Sequence, residues 1–408
     1  MANSEIAQLA YGDLQVFLTE FGVAVRQRDT NRLLNMLCTE AEWCDGLAVV
    51  PADLPRYPLF KASPRNTNLQ QLSESAIDER PYRKLALVYA RYLMDVALPP
   101  DGSTGRTELT FSRPMDLLNQ LYTLFKAPDG VWLTPVIQKW ATLTVKAALR
   151  LDRAAHHPGH YPHANAVAQI LSRLVRLATG SEATLGNTRL RATLQLANLT
   201  FRTYFFVRAQ RLCQAVINNI SKAEVNPRNF PMNQFVTYKY YLGRYYLFKH
   251  HMSWARTELL EAMATCTQRP SAEPNRWRIF FHLTVASLAT GWLPSSSLLR
   301  RYSAFVPLFS PLIRAYRNGQ VAQFMRLCDQ ARDLLLPSGT HYLLRERCLI
   351  IIYRNLFRNV FRLRVDTSAD KVHFMTFADL AAATRFAAED PDVDEDEIES
   401  LLASLVSQ

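Results

Sequence analysis

Residues 238–266 read YKYYLGRYYLFKHHMSWARTELLEAMATC and predict two helices joined by a short turn. Apolar and small side chains recur at the spacing of one helical face, without the strict alternation that indicates a strand. Small residues on such a face let two helices approach closely, because the distance between helix axes depends on the side chains at the contact. The positions concerned are Leu242, Gly243 and Tyr246 in the first helix and Ala255, Leu259 and Ala262 in the second.

This hairpin resembles a degenerate tetratricopeptide repeat, in which residues of these types occupy the corresponding positions of the two helices. Lys239 stands where the first-helix Trp is expected, and the closing Pro is displaced to Pro270. A strict period of about 34 residues does not extend along the chain. We therefore interpret the sequence as tetratricopeptide-like rather than as a regular array.

Helical periodicity continues on both sides of the hairpin, and glycine is scarce at 13 of 408 residues. Helices are expected at about 6–37 (broken near 22–29), 81–98, 114–127, 131–154, 164–180, 187–203, 205–221, 231–249, 253–268, 275–291, 295–303, 310–317, 320–335 and 340–364. Successive helices with short turns predict an all-α fold, a right-handed stack of helical hairpins. The expected regions are an N-terminal helical region at 1–163, helical repeats at 164–342 and a C-terminal domain at 343–408.

The stretch LLRERCLIIIYRNLFRNVFRL at 343–363 is apolar in its middle but is not a membrane span. Its longest uncharged run, 348–353, has six residues, far fewer than the roughly 20 that a bilayer requires. On a helix, four of its five arginines fall within about 80° of one another and the apolar residues lie on the opposite side. This arginine stripe comprises Arg347, Arg354, Arg358 and Arg362.

The last part of the chain has a different pattern. KVHFM at 371–375 alternates as a short strand does, Thr376 can cap a helix starting at Phe377, and DEDEIESLLASLV at 394–406 predicts a final helix. Helix, short strand, helix, helix is the opening order of a winged-helix domain.

Tetratricopeptide-like hairpins followed by a winged helix resemble the PCI-domain family. The local sequence is similar to one branch of it, the PCI subunit of the transcription-coupled (TREX-type) mRNA export complex and its signalosome-associated paralogue. The stretches that carry the resemblance are VTYKYYLGR at 236–244, LLRRYSAF at 298–305, IIYRNLFRNVF at 351–361 and DPDVDEDEIESLLASLV at 390–406. In that family the final helix leads into a β-hairpin wing, whereas this sequence ends at Ser407-Gln408, so an incomplete winged helix is expected.

The resemblance implies a non-enzymatic scaffold without a cofactor, located in the nucleus and at the nuclear pore, with a cytoplasmic pool. Its partners would be a larger SAC/GANP-type PCI protein, a small acidic protein shared with the proteasome lid, and RNA or DNA bound through its backbone, but no membrane. The winged helix would meet its PCI partner through the apolar residues Phe377, Leu380, Ile398, Leu402 and Leu405.

Charge is distributed unevenly along the chain. The net charge is +11, yet residues 389–399 hold eight acids, which leaves 47 Lys and Arg against 28 Asp and Glu elsewhere. A body this basic favours a polyanionic partner, either nucleic acid or an acidic protein. The predicted contact is the arginine stripe together with Arg364, Lys371 and Arg385, which Arg300, Arg301, Arg314 and Arg317 could extend; a merely solvated helix face is the alternative.

The acidic run limits the kind of nucleic-acid binding that is plausible. It lies at the start of the final helix, where carboxylates suit the helix dipole. In a DNA-reading winged helix that helix would enter the major groove, and the carboxylates would repel phosphates. Any nucleic-acid binding is therefore expected to be independent of sequence and strongly dependent on salt.

Other motifs are weak. HHPGHYPH at 156–163 contains four histidines, enough ligands for a metal ion, but no Cys, Asp or Glu. We predict a loop without a bound metal. The six cysteines are widely spaced, as reduced core cysteines of an intracellular protein would be. No nucleotide-binding or hydrolase motif appears. Two functions remain open: an mRNA export scaffold that contributes to a nucleic-acid surface, or a signalosome- or splicing-associated PCI subunit that binds only proteins.

Overall fold

A computed structural model describes residues 14–37, 69–97, 111–155, 157, 159–180, 188–367 and 374–407. Within these ranges the regular structure is helical throughout, without a β-strand, as the sequence predicts. Contacts divide the chain into two compact units, Met1–Phe235 and Val236–Gln408. Both domain boundaries expected from the sequence, at 163/164 and 342/343, fall inside a unit and stay predictions.

The first unit consists of helices that pack against their neighbours in the chain. Its helices are α1 (Leu14–Arg26), α2 (Thr30–Leu37), α3 (Leu69–Ala76), α4 (Arg80–Ala97), α5 (Arg113–Lys126), α6 (Thr134–Ala154), α7 (Pro162–Ala178), α8 (Thr193–Phe206) and α9 (Cys213–Lys222). From α3 to α9 each helix contacts the next, which is the packing of a helical stack. The expected break in the first helix is confirmed, and the Asp29 carboxylate accepts the N–H of Arg32 at 3.1 Å to start α2.

A buried carboxylate joins α6 to α7 in this unit. Asp152 is 2% exposed, and its oxygens accept the N–H of Ala164 at 2.8 Å and bond Nδ1 of His163 at 2.7 Å. These groups belong to the first turn of α7, whose N–H groups have no partner within their own helix. His163, the last residue of the histidine-rich loop, is thus engaged in helix capping.

The second unit begins within α10. Its helices are α10 (Met232–Phe248), α11 (Met252–Thr265), α12 (Glu273–Leu288), α13 (Ser296–Arg301), α14 (Val306–Asn318), α15 (Val321–Gln330), α16 (Arg332–Leu335), α17 (His341–Arg347), α18 (Leu349–Thr367), α19 (Phe377–Ala388) and α20 (Glu395–Val406). The hairpin α10–α11 forms as predicted: a Cβ added to Gly243 would lie 2.5 Å from Cγ of Leu259, so only glycine permits this approach. Ala255 and Ala262 are fully buried on the same face.

Lys239, which departs from the tetratricopeptide pattern, has a definite role in the hairpin. Its Nζ donates to Glu258 at 2.7 Å and to Glu261 at 2.9 Å, both on α11. These acids lie one turn apart, and an ion-paired lysine replaces the expected Trp as the link between the two helices. The tyrosines of α10 belong mainly to the hairpin: Tyr238 and Tyr245 are buried.

The expected continuous helix at 340–364 is interrupted at one residue. α17 ends at Arg347 and α18 begins at Leu349, with Cys348 between them in a turn. The Cys348 N–H still bonds the Leu344 carbonyl at 3.2 Å, and the Cys348 carbonyl accepts from Ile352 at 2.9 Å. The Cys348 side chain is fully buried, and burial raises the pKa of its thiol.

The last three helices enclose a small core of their own. It consists of the buried residues Leu356, Phe357, Leu380, Ala381, Val393 and Ile398. Thr376 caps α19 as predicted, in a reciprocal capping box with Asp379, and Asp394 caps α20 by accepting the N–H of Glu397 at 2.9 Å. In the stretch expected to be a strand, Phe374 and Met375 are not in a strand, and 371–373 lie outside the described residues.

Candidate nucleic-acid interface

The rotation of α18 is determined by its contact with the C-terminal end of α14. Side-chain amides of Asn355 and Asn359 donate to the carbonyls of Tyr316 and Arg317, at 2.9 and 3.1 Å. These carbonyls are among the last of α14, which lack partners within their own helix. At Gly319, where φ is +75°, an added Cβ would lie 2.5 Å from Cα of Leu356. Close backbone contact and two hydrogen bonds therefore hold one face of α18 inward.

The outward face of α18 carries three residues of the arginine stripe. Arg354, Arg358 and Arg362 are exposed and follow one another at intervals of four residues, so they lie about 6 Å apart along the helix. Among the described residues none of these three guanidinium groups has a hydrogen bond or an ion pair. Arg347 is also exposed, but it belongs to α17, before the interruption.

Two other predicted contact residues hold the C-terminal helices together. Arg364 forms an ion pair with Asp379 and lies over the Phe374 ring, 5.8 Å from its centroid. Arg385 donates from Nε to the Val393 carbonyl at 2.8 Å. The predicted Lys371 lies outside the described residues. Among the predicted contact residues that the structure describes, Arg354, Arg358 and Arg362 are therefore free, whereas Arg364 and Arg385 bind other residues of the C-terminal helices.

Flanking arginines lie on neighbouring helices. Arg314 and Arg317 are exposed on α14, and Arg317 adjoins α18 through the bond from Asn359. Arg300 and Arg301 are exposed on α13, where Arg301 donates to the Gln268 side chain at 3.2 Å.

The acidic run is partly neutralised by an arginine of α15. Arg326 makes a two-pronged ion pair with Glu389, with N–O distances of 2.6 and 2.8 Å. Hydrogen bonding from Arg326 holds the pKa of the Glu389 carboxyl below its usual value. The pair ties the turn between α19 and α20 to α15, although both groups are more than half exposed and such pairs contribute little to stability.

Most of the predicted partner residues face inward. Leu380 and Ile398 are 3% and 0% exposed and form the C-terminal core, so their prediction as surface contacts is corrected: the three helices bury them against one another. Leu402 and Leu405 pack partly buried on the same core. Phe377 is the exposed member of the set, at 47%.

Trp292, which no sequence motif indicates, follows Gly291 near the Arg354 guanidinium. It follows α12, is 60% exposed, and has the Arg256 guanidinium over its ring at 4.6 Å from the centroid. The guanidinium nitrogens of Arg354 lie 3.6 and 3.9 Å from the position of a Cβ added to the neighbouring Gly291. No periodic pattern in the sequence indicates this site, because its residues come from three separate elements.

The described residues give no indication of other site types. They contain no group of three or more His, Cys, Asp and Glu side chains placed to hold a metal ion. None of their helices is long and apolar enough to cross a membrane. The described cysteines, Cys213, Cys266, Cys328 and Cys348, are free thiols.

The stacked helical hairpins are typical of the class of helical-repeat proteins. No protein-family model matches the chain. A PCI domain-containing protein of Schizosaccharomyces pombe is 28% identical over 346 residues, covering 81% of this chain and 75% of that protein. The PCI domain-containing protein 2 homolog of Drosophila melanogaster is 31% identical over 229 residues, covering 56% of this chain and 55% of that protein. PCI domain-containing protein 2 of Xenopus laevis is 28% identical over 240 residues, covering 59% of this chain and 57% of that protein.

These similarities support a PCI-domain family for this chain, and its all-helical fold is consistent with that family. The matched region spans little more than half of the fly and frog proteins.

Proposed function

We propose that this chain is a non-catalytic PCI scaffold subunit of a nuclear mRNA export complex that binds RNA or DNA backbone through α18. The observation that carries the proposal is the row of uncovered arginines Arg354, Arg358 and Arg362 on a helix whose opposite face is fixed. PCI-domain proteins are generally scaffolds, which supports a binding role rather than a catalytic one.

The physical basis is electrostatic. Guanidinium groups without intramolecular partners are available for bidentate contacts with phosphate oxygens. Because the contacts go to the backbone, binding would be independent of sequence and would release counterions. Two residues of the acidic run have partners of their own, since Asp394 caps α20 and Glu389 pairs with Arg326, and neither residue lies on α18.

The decisive experiment replaces Arg354, Arg358 and Arg362 together by Glu and measures binding of single-stranded RNA over a range of salt concentrations. If each arginine contacts one phosphate, the slope of log affinity against log salt should become shallower by about 2. A matched control reverses Arg173, Arg176 and Arg211, exposed arginines of the first unit, and changes the net charge by the same amount. If the two variants weaken RNA binding equally, the α18 arginines act only as non-specific positive charge. If neither variant weakens binding, the proposal is refuted.

The proposed partners are a SAC/GANP-type PCI protein and the small acidic protein. On this proposal the PCI partner meets the C-terminal helices, where Phe377 and Phe386 are exposed at 47% and 87%. Co-purification of the full chain from nuclear extract, followed by mass spectrometry, tests this assembly and the nuclear location. A Phe377→Ala, Phe386→Ala double variant should lose the PCI partner while keeping RNA binding.

The alternative is a PCI subunit that binds proteins alone, with the stripe occupied by the acidic protein. The same free arginines would serve it, since carboxylates and phosphates bind guanidinium in the same geometry. Adding the acidic protein to the RNA titration separates the two functions. If its binding abolishes RNA affinity, the alternative is favoured.

A further inference from the structure

We infer that Trp292, with Arg256 over its ring and Arg354 next to the preceding Gly291, is a stacking site for an unpaired nucleobase near the arginines of α18. The inference rests on the proposed function and specifies its ligand as single-stranded nucleic acid.

The first element of the site is the position of Trp292 itself. The chain leaves α12 through Gly291, whose φ is +83°, and the Trp292 N–H bonds the Ser287 carbonyl at 2.8 Å. This pair of features is a standard helix-terminating turn, in which glycine adopts the left-handed conformation. The turn therefore fixes the backbone position of Trp292, and the residue is 60% exposed.

The second element is the guanidinium of Arg256 on one face of the ring. Its Cζ lies 4.6 Å from the ring centroid, and its Nε has no hydrogen-bond partner. An arginine over an aromatic face is attracted by the ring quadrupole and fixes the ring plane. Because Arg256 covers one face and Trp292 is 60% exposed, we expect the opposite face to accept another planar group.

The third element is the charge around the ring. Arg354 is the first of the three arginines on α18, and its guanidinium lies next to Gly291, the residue that precedes Trp292. Among the described residues neither Arg256 nor Arg354 forms an ion pair. An exposed aromatic face followed by a row of cations matches one unpaired base followed by the phosphates of its strand. Bases in a duplex already stack on each other and do not offer this face.

The test compares the full chain with its Trp292→Ala variant on a single-stranded RNA and on an RNA duplex of equal length. Stacking of one base predicts a loss of roughly 5- to 100-fold in single-strand affinity. Duplex affinity and the salt slope should stay unchanged, because no charge is removed. Trp292→Phe should restore part of the loss, and a purine strand should lose more than a pyrimidine strand.

The control variant is Trp254→Ala. Trp254 is exposed to a similar extent, 63%, but it packs against Tyr246 and His251 rather than against arginine. It should leave RNA binding unchanged, and circular dichroism should show that all variants are folded. Equal losses on single strand and duplex, or no loss at Trp292→Ala, would overturn the stacking site.

The two proposals fail separately. If reversal of Arg354, Arg358 and Arg362 weakens binding while Trp292→Ala does not, the backbone contact stands and the base contact is wrong. If neither change matters, both are wrong. If Trp292→Ala releases a co-purifying protein and leaves RNA affinity intact, the indole is a protein contact and the inference is overturned.

Discussion

A buried histidine in α12 is expected to make the second unit less stable in acid. His282 is 7% exposed, its ring stands edge-on to Tyr240 at 5.5 Å, and its Nδ1 is 2.9 Å from the Arg278 carbonyl. Its Nε2 is buried without a hydrogen-bond partner. Burial, and after it the positive charge of Arg244, lowers the pKa of His282 from 6.5 to about 3, although the bond to the Arg278 carbonyl opposes the shift.

The sign of the effect follows from proton binding in the two states. Below pH 6.5 the unfolded chain takes up a proton at His282, but the folded chain does so only near pH 3. Lowering the pH therefore favours unfolding: the contribution is fully present above pH 6.5 and is lost progressively between 6.5 and 3. At 1.36 kcal/mol per pKa unit, the loss is about 2 kcal/mol at pH 5 and about 3 kcal/mol at pH 4.

Hydrogen exchange of the amides in α12 is the suitable assay, because it reports the free energy of opening of that helix rather than of the whole two-unit chain. After correction for intrinsic exchange rates, this free energy should fall by about 2 kcal/mol from pH 7 to pH 5 in the wild type. The His282→Phe variant keeps an aromatic ring but has no titratable nitrogen, so most of this dependence of the opening free energy on pH should disappear. His160→Gln, at an exposed histidine, serves as the control. If wild type and His282→Phe show the same pH dependence, protonation of His282 does not cause the loss of stability.

Three further changes test the packing that supports the candidate surface. Gly319→Ala should destabilise the second unit by about 2–4 kcal/mol, because alanine resists the left-handed conformation and its Cβ would collide with Leu356; unchanged denaturation midpoints would contradict this. Asp152→Ala should cost about 2–3 kcal/mol, since two groups at the start of α7 lose a buried acceptor, and faster exchange confined to α6 and α7 is the expected readout. Glu389, whose pKa Arg326 holds low, contributes stability above its unfolded-state pKa and loses it as the pH falls through the folded value. Exchange in α20 should therefore quicken in acid, and less so in Glu389→Gln.

Much of the fold is predictable from local pattern. The break before α2, the hairpin α10–α11 and the caps at Thr376 and Asp394 all follow from periodicity and from short-range hydrogen bonding. The interruption at Cys348 does not, because an apolar residue in a helical pattern carries no breaking signal.

The candidate surface is predictable only in part. The sequence indicates that arginines of α18 share a face, since that depends on helix geometry alone. It does not indicate that Arg364 is engaged by Asp379, which is distant along the chain. Leu380 and Ile398 were predicted as partner contacts although they belong to the C-terminal core. An apolar helix face has the same sequence pattern whether it packs on its own domain or on another protein.

The helices, the paired hairpin and the row of charge on α18 are thus predictable from sequence, because they are properties of neighbouring residues. Packing between elements determines which of these charges are free, which apolar residues are covered, and that Arg256 lies over Trp292. The physical reason is the range of the interactions. Helical periodicity and capping act within a few residues, whereas the partner of a side chain is chosen by packing between elements that lie far apart in the chain.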